Sequence, residues 1–138
     1  MSLRRIQKEI IAVEKAGLGT VTQGDNTHEL TVHIVGPEDT PYHNRKIPVH
    51  VVIDSNHPFK PPKCKFPDGL YHPNVDAAGT MCLGILKSEW SPVKTLSDVL
   101  THIFTMLQCP NLDDPLMPEI AKQYREDYDG FCRCVSAH

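Results

Sequence analysis

The sequence predicts an α+β fold: one amphipathic helix, then an antiparallel meander of short strands, then helices packed on the sheet. Three observations predict it. Leu3, Ile6, Ile10 and Val13 recur at three- and four-residue spacing, as on one helix face. Leu30, Val32 and Ile34, and then Ile47, Val49, Val51 and Ile53, alternate as half-buried strands do. Helical periodicity returns with Leu96, Val99, Leu100, Ile103, Phe104, Met106 and Leu107. At 138 residues and 15.5 kDa the chain is expected to form one domain over residues 1–138, large enough to bury a real core.

Composition narrows the class. Hydrophobic residues at 40% and charged ones at 22% are ordinary for a globular protein. A net charge of −3 gives no whole-molecule reason to expect nucleic acid or an anionic membrane as partner. Charges at Arg4, Arg5, Lys8 and Glu9 stand where a signal peptide needs an apolar run, and no segment is apolar over a bilayer's width. The expected location is intracellular, cytoplasmic or nuclear. Five cysteines, an odd number in unlike settings, argue for reduced thiols. Cys132-x-Cys134 with His138 lacks a second Cys/His pair at zinc-ligand spacing, so no metal is expected.

The elements follow in order. Arg4, Arg5, Lys8 and Glu9 give the first helix a charged outer edge, and Gly17 is its expected stop. Thr20 to Thr27 carries turn formers, and Gly36-Pro37-Glu38-Asp39-Thr40-Pro41 turns the chain between the two alternating strands. Pro48 points to a sheet edge or a strand start. A short strand, Lys63-Cys64-Lys65-Phe66, follows the stiff stretch His57-Pro58-Phe59-Lys60-Pro61-Pro62, whose prolines would display Phe59 as a fixed apolar knob, against the commoner fate of a lone Phe as a core plug. Thr95 with Asp98 three residues later makes a capping-box start for the central helix. Asp98, Thr101, His102 and Thr105 form its polar strip, and Pro110 ends it. Adjacent Asp113 and Asp114 read by themselves as a cap or a solvated loop. From Pro118, Ile120, Tyr124, Tyr128, Phe131 and Val135 mark a single last helix, with Gly130 an interior cost of about 1 kcal/mol and a frayed or short end.

Chemistry concentrates in Tyr71-His72-Pro73-Asn74-Val75-Asp76-Ala77-Ala78-Gly79-Thr80-Met81-Cys82. Pro73 stiffens the segment and Gly79 permits a turn that brings Asn74 to face Cys82. A thiolate can carry an acyl group, and a carboxamide N–H beside it can stabilise the oxyanion of thioester attack. The same residues also occur in loops for ordinary turn reasons.

The chain resembles the ubiquitin-conjugating enzymes. The likeness rests on Gly36-Pro37-x-Asp39-Thr40-Pro41-Tyr42, Pro58-Phe59-Lys60-Pro61-Pro62-Lys63, and Tyr71-His72-Pro73-Asn74 followed by Gly79-x-x-Cys82-Leu83. It continues through Ile85-Leu86-x-x-x-Trp90-Ser91-Pro92 and Pro110-Asn111-x-Asp113-Asp114-Pro115-Leu116. The resemblance implies a four-stranded meander, the fourth strand near Val21-Thr22 or Leu70-Tyr71. It implies that Cys82 accepts ubiquitin or a ubiquitin-like protein as a thioester from the ATP-dependent activating enzyme. The acyl group then passes to a substrate lysine or a ligase cysteine. By position, Asn74 matches the residue supporting the oxyanion or the neighbouring loop, His72 a loop-shaping residue, and Asp114 an acidic residue that helps orient or deprotonate the incoming lysine. Phe59, Pro92 and Val93 match ligase-docking loops, and Arg4, Arg5 and Lys8 the helix edge used by the activating enzyme. Asp98, Thr101, His102 and Thr105 match the face on which the carried ubiquitin folds back. No cofactor is implied for the chain itself, and a monomer or heterodimer is expected.

Five departures accompany the likeness. Gly84 stands where many members carry an acidic residue, Lys94 replaces a frequent apolar residue, Asp98 with Thr101 makes the fold-back face less apolar, Leu30 replaces a frequent tryptophan, and the last helix lacks the usual aromatic-rich ending. Gly84 and the shortened end motivate the alternative, a weak or inactive scaffold of the same fold that binds ubiquitin or a partner enzyme.

Overall fold

The structure, a computed structural model, describes residues 3–138. Helix α1 (Leu3–Lys15) buries Ile6, Glu9 and Val13 on one side and ends before Gly17, whose φ of 71° suits a residue without a Cβ. Four strands follow as a meander in the order β1-β2-β3-β4: β1 (Thr20–Gln23), β2 (Glu29–Val35), β3 (Lys46–Val52) and β4 (Lys63–Lys65). All pairings are antiparallel, with Val32 opposite Val49 and Val51 opposite Cys64. Of the two places expected for the fourth strand, the chain uses Val21-Thr22. Pro48 lies near the start of β3, and β4 pairs only with residues 50–52, so the proline faces no ladder on that side.

The alternation decides which face is buried. Leu30, Val32, Ile34, Ile47, Val49 and Val51 form one cluster with Leu96, Val99, Leu100, Ile103 and Leu107 of α2 (Leu96–Gln108). Leu30, at 1% exposed, fills its place in this core without a larger ring. Helix α2 begins with the expected capping box: Thr95 accepts from the Asp98 N–H, and the Asp98 carboxylate accepts from the Thr95 N–H at 2.8 Å. Among the described residues no helix is long and apolar enough to cross a membrane.

Two expectations are corrected. The single last helix is two, α3 (Pro118–Glu126) and α4 (Tyr128–Ala137), broken at Asp127. The Asp127 carboxylate caps α4 by accepting from the Gly130 N–H at 3.0 Å, and a Cβ at Gly130 would come within 2.2 Å of its Oδ2. Gly130 is therefore the seat of an N-cap, not an interior cost. Nor is the end of α4 short. Phe131 and Val135 are buried, and Arg45 donates to the Val135 carbonyl at 2.9 Å and to the His138 carbonyl at 2.9 Å. Phe59 is the second correction: it is 75% exposed, because the proline-rich stretch carries it away from the core.

Candidate active site

The segment from Tyr71 to Cys82 folds back as the glycine and proline positions require. Asp76 accepts the Ala78 and Thr80 N–H groups on Oδ1, each at 2.9 Å, and Gly79 turns the chain at φ 86°. A Cβ at Gly79 would come within 2.0 Å of the Phe66 carbonyl, so only glycine fits there. The Val75–Met81 bridge then brings the arms together, and the Cys82 N–H donates to the Asn74 carbonyl at 3.0 Å. Asn74 and Cys82 are neighbours, as the turn predicted.

Beneath them His72 is fully buried. Its Nδ1 accepts from the Asn74 N–H at 2.9 Å, which leaves Nε2 to donate to the Met106 carbonyl at 2.8 Å. Burial holds its pKa down to about 4, against the pull of the Met106 carbonyl. A neutral imidazole with both nitrogens engaged shapes the loop and is no partner for the Cys82 thiol, which removes the pairing a cysteine hydrolase would use.

Asn74, 2% exposed, is a clamp. Its Nδ2 donates to the Asn111 carbonyl at 2.9 Å, and its Oδ1 accepts from the Asn111 N–H at 2.8 Å. The Asn111 side chain in turn accepts from the N–H groups of Asp113 at 3.0 Å and Asp114 at 3.3 Å. The loop after α2 is thus fastened to the cysteine segment through one side chain, and a second Nδ2 hydrogen remains for a group beside Cys82. Asp114 is exposed, whereas Asp113 pairs with Arg125 at 3.2 Å.

A groove of about 320 Å³ runs past Cys82, lined by Asn74, Gly84, Thr101, His102, Thr105 and Asn111 among others. The structure therefore brings Thr101, His102 and Thr105 to the thiol. Asp98 is not among the lining residues, because its carboxylate is spent on the capping box. Asn111, Met106 and Cys109 also line the groove. Only Asn111 had a sequence signal, as part of the Pro110-Asn111 motif.

The expected docking residues form a separate surface. Arg5, Lys8, Pro92 and Val93 share a groove of about 530 Å³, and Val93 is 82% exposed. Arg4 and Phe59 are exposed but do not line it. Arg5 donates to the Pro92 and Lys94 carbonyls at 3.2 and 3.3 Å and pairs with Glu9 at 2.9 Å, so it shapes this surface from within. Glu9, which sequence reasoning placed on the outer edge, is buried. It meets His57 Nε2 at 2.7 Å and accepts the Leu96 N–H at 2.8 Å. Burial pushes its pKa up, but His57, the Leu96 N–H and Arg5 outweigh that and hold it below the usual 4.5. One carboxylate thus joins α1, the proline-rich stretch and the start of α2. Trp90 adds a tie by donating from Nε1 to the Pro58 carbonyl at 2.8 Å.

The remaining cysteines are free thiols. Cys64 is pushed up to about 12 by burial, which makes it inert although part of the residue reaches the surface. Cys134 accepts weakly from Gln123 Nε2 at 3.6 Å, and His138 Nδ1 lies 2.7 Å from the Cys134 carbonyl. Among the described residues no group of three or more metal-ligating side chains forms.

The fold matches known proteins. The E2 domain of a ubiquitin conjugating enzyme from Toxoplasma gondii superposes with a TM-score of 0.87 at 34% identity, over 96% of this chain and 92% of that one. The family profile described as ubiquitin-conjugating enzyme matches residues 5–138. A helix, a four-stranded meander, a clamped Asn74 beside Cys82 and a profile match over nearly the whole chain lead to one statement: the chain belongs to the ubiquitin-conjugating enzyme family.

Proposed function

We propose that this protein, as one catalytic core, accepts the C-terminal carboxyl of ubiquitin or a ubiquitin-like protein as a thioester on Cys82. It receives the acyl group from an ATP-dependent activating enzyme and passes it to a substrate lysine or a ligase cysteine. The observation that carries this reading is Cys82 itself: a free, partly exposed thiol lining an open groove beside Asn74, with no base hydrogen-bonded to it among the described residues. A thiol without a base suits thioester exchange, because an ordinary thiol is already a few per cent thiolate at neutral pH and a thioester is a reactive acyl donor. Hydrolysis of an amide would need a general base that His72 cannot supply.

The remaining residues take roles from their placement. The groove beside Thr101, His102 and Thr105 holds the extended tail of the carried protein. The spare Nδ2 hydrogen of Asn74 supports the oxyanion, and its clamp on Asn111 sets the loop bearing Asp114, which orients the acceptor amine. Arg4, Arg5 and Lys8 meet the activating enzyme, and Phe59, Pro92 and Val93 meet a ligase. The scaffold alternative, motivated by Gly84 and the shortened end, separates from this reading on whether Cys82 can be charged.

The test is charging. Incubation with ubiquitin, activating enzyme and ATP is expected to give a thiol-sensitive band on non-reducing gels, absent in Cys82→Ala. No band with ubiquitin or any ubiquitin-like protein and its matched activating enzyme, from a folded sample, would sink the enzyme reading.

A further inference from the structure

Two residues past the nucleophile, Gly84 opens the 3₁₀ turn Gly84–Leu86 and lines the Cys82 groove. What stands over it is unexpected. A Cβ on Gly84 would lie 1.9 Å from Oε2 of Glu89, 2.5 Å from Cδ and 3.2 Å from Oε1. The carboxylate is therefore laid against the bare α-carbon, in space that any other residue's side chain would occupy. The N–H groups of Lys87 and Glu89 donate to the Gly84 carbonyl at 2.9 and 3.0 Å, which fixes the backbone of the turn beneath it. The turn closes tightly enough that the Glu89 side chain folds back on its start.

This carboxylate has no structural occupation. Glu89 is exposed, and among the described residues nothing donates to its carboxylate or pairs with it. Consecutive α-carbons are 3.8 Å apart, so the carboxylate sits within about 11 Å of the Cys82 α-carbon by chain geometry alone. That is somewhat beyond the screening length of about 8 Å at physiological salt, so the field there is attenuated and strengthens at low salt. A cation approaching the thioester feels it.

We propose that Glu89, seated on Gly84, is an acceptor-binding carboxylate that draws the ammonium of an incoming lysine to the Cys82 thioester. The inference rests on the acyl-carrier reading of Cys82. The lysine ammonium gives a proton to solvent, its nitrogen bonds to the thioester carbonyl carbon, and the C–S bond breaks. The Cys82 sulfur leaves as thiolate and the amide nitrogen's surplus proton passes to it or to solvent. Glu89 acts before this, by raising the local concentration of the cationic acceptor. Asp114, carried on the loop fastened through Asn111, would do so from that loop.

The test uses the charged, full-length protein and reads discharge of the isolated thioester to free lysine and to hydroxylamine, which is uncharged at pH 7.5. Rates are taken per charged molecule, so differences in loading drop out. A unit charge at this range in a largely aqueous setting at low salt changes cation binding about twofold. The ratio of lysine to hydroxylamine discharge is expected to fall by about that factor in Glu89→Gln, chiefly through a higher lysine concentration at half-maximal rate. Gly84→Ala keeps the charge but displaces the carboxylate, and is expected to lower the ratio similarly, with no further loss in the double variant. Glu89→Asp is expected to restore part of it. An unchanged ratio in Glu89→Gln overturns the proposal and leaves the acyl-carrier reading standing. A wild-type protein that never charges overturns both.

Discussion

His72 and Asn74 carry two different kinds of consequence although they are two residues apart. His72 is neutral in the fold down to about pH 4, whereas in the unfolded chain it takes up a proton near 6.5. Between those values the unfolded state binds more protons, so stability falls as pH falls, by up to about 3 kcal/mol. Glu9 adds to the loss lower down. Its carboxyl is held below 4.5, so its contribution is present above that pH and disappears as pH falls through the folded value. Denaturant midpoints between pH 7 and 4 are expected to decline from about 6.5 downward, with the His72 ring signals in NMR unchanged to about pH 4. A flat profile would contradict the burial of His72. Asn74→Ala removes both clasps on Asn111, one donor and one acceptor, and leaves the Asn111 backbone groups unsatisfied. The expected cost is about 1–3 kcal/mol in unfolding free energy together with slower discharge of the charged protein. Slower discharge at unchanged stability would assign Asn74 to the oxyanion alone. Cys82, Asn74 and the turn at Gly79 were legible as a unit because proline, glycine and spacing act locally. The clasp on Asn111 was not, since its partners are separated by 37 residues.

At the scale of elements, local signals served where the controlling contact was local. The capping box at Thr95 and the alternation in β2 and β3 lie within a few residues, and they were read correctly. The break between α3 and α4 was missed because Tyr124, Tyr128 and Phe131 keep helical spacing across it and pack on one another, with ring centres 5.0 to 5.9 Å apart. Asp127, with Gly130 three residues on, was the signal that could have found it: a carboxylate cap and the residue whose bare α-carbon admits it. Gly130→Ala tests this directly. Alanine is the better helix former, so an interior position would gain up to about 1 kcal/mol. Here the substitution is expected to displace the Asp127 cap and cost about 1 kcal/mol, read as a lower denaturant midpoint. Added stability would contradict the break. Glu9 eluded the sequence for the opposite reason. A charged residue among Arg4, Arg5 and Lys8 reads as surface until His57 and Leu96, 48 and 87 residues away, are brought to it.

Across the whole molecule the partner surfaces and the thiol are held by different frameworks. The Glu9 junction fixes α1 against the stretch bearing Phe59 and the loop bearing Val93, while the Asn74 clasp fixes the groove around Cys82. Phe59 shows why surfaces are the harder thing to read. A lone phenylalanine belongs in a core by composition, and only the three flanking prolines and the family likeness argue that it is displayed. The chain's five thiols make the central claim sharply testable. Burial disables Cys64, whereas Cys109 lies in the same groove as Cys82 and competes with it as a possible carrier. The decisive measurement is to charge the protein with ubiquitin, activating enzyme and ATP, alkylate every free thiol, release the ubiquitin, and map by mass spectrometry which cysteine was protected. Protection of Cys82 alone is the predicted result. Protection of Cys109 or another cysteine in place of Cys82, or a ubiquitin adduct that survives in Cys82→Ala, would contradict the account.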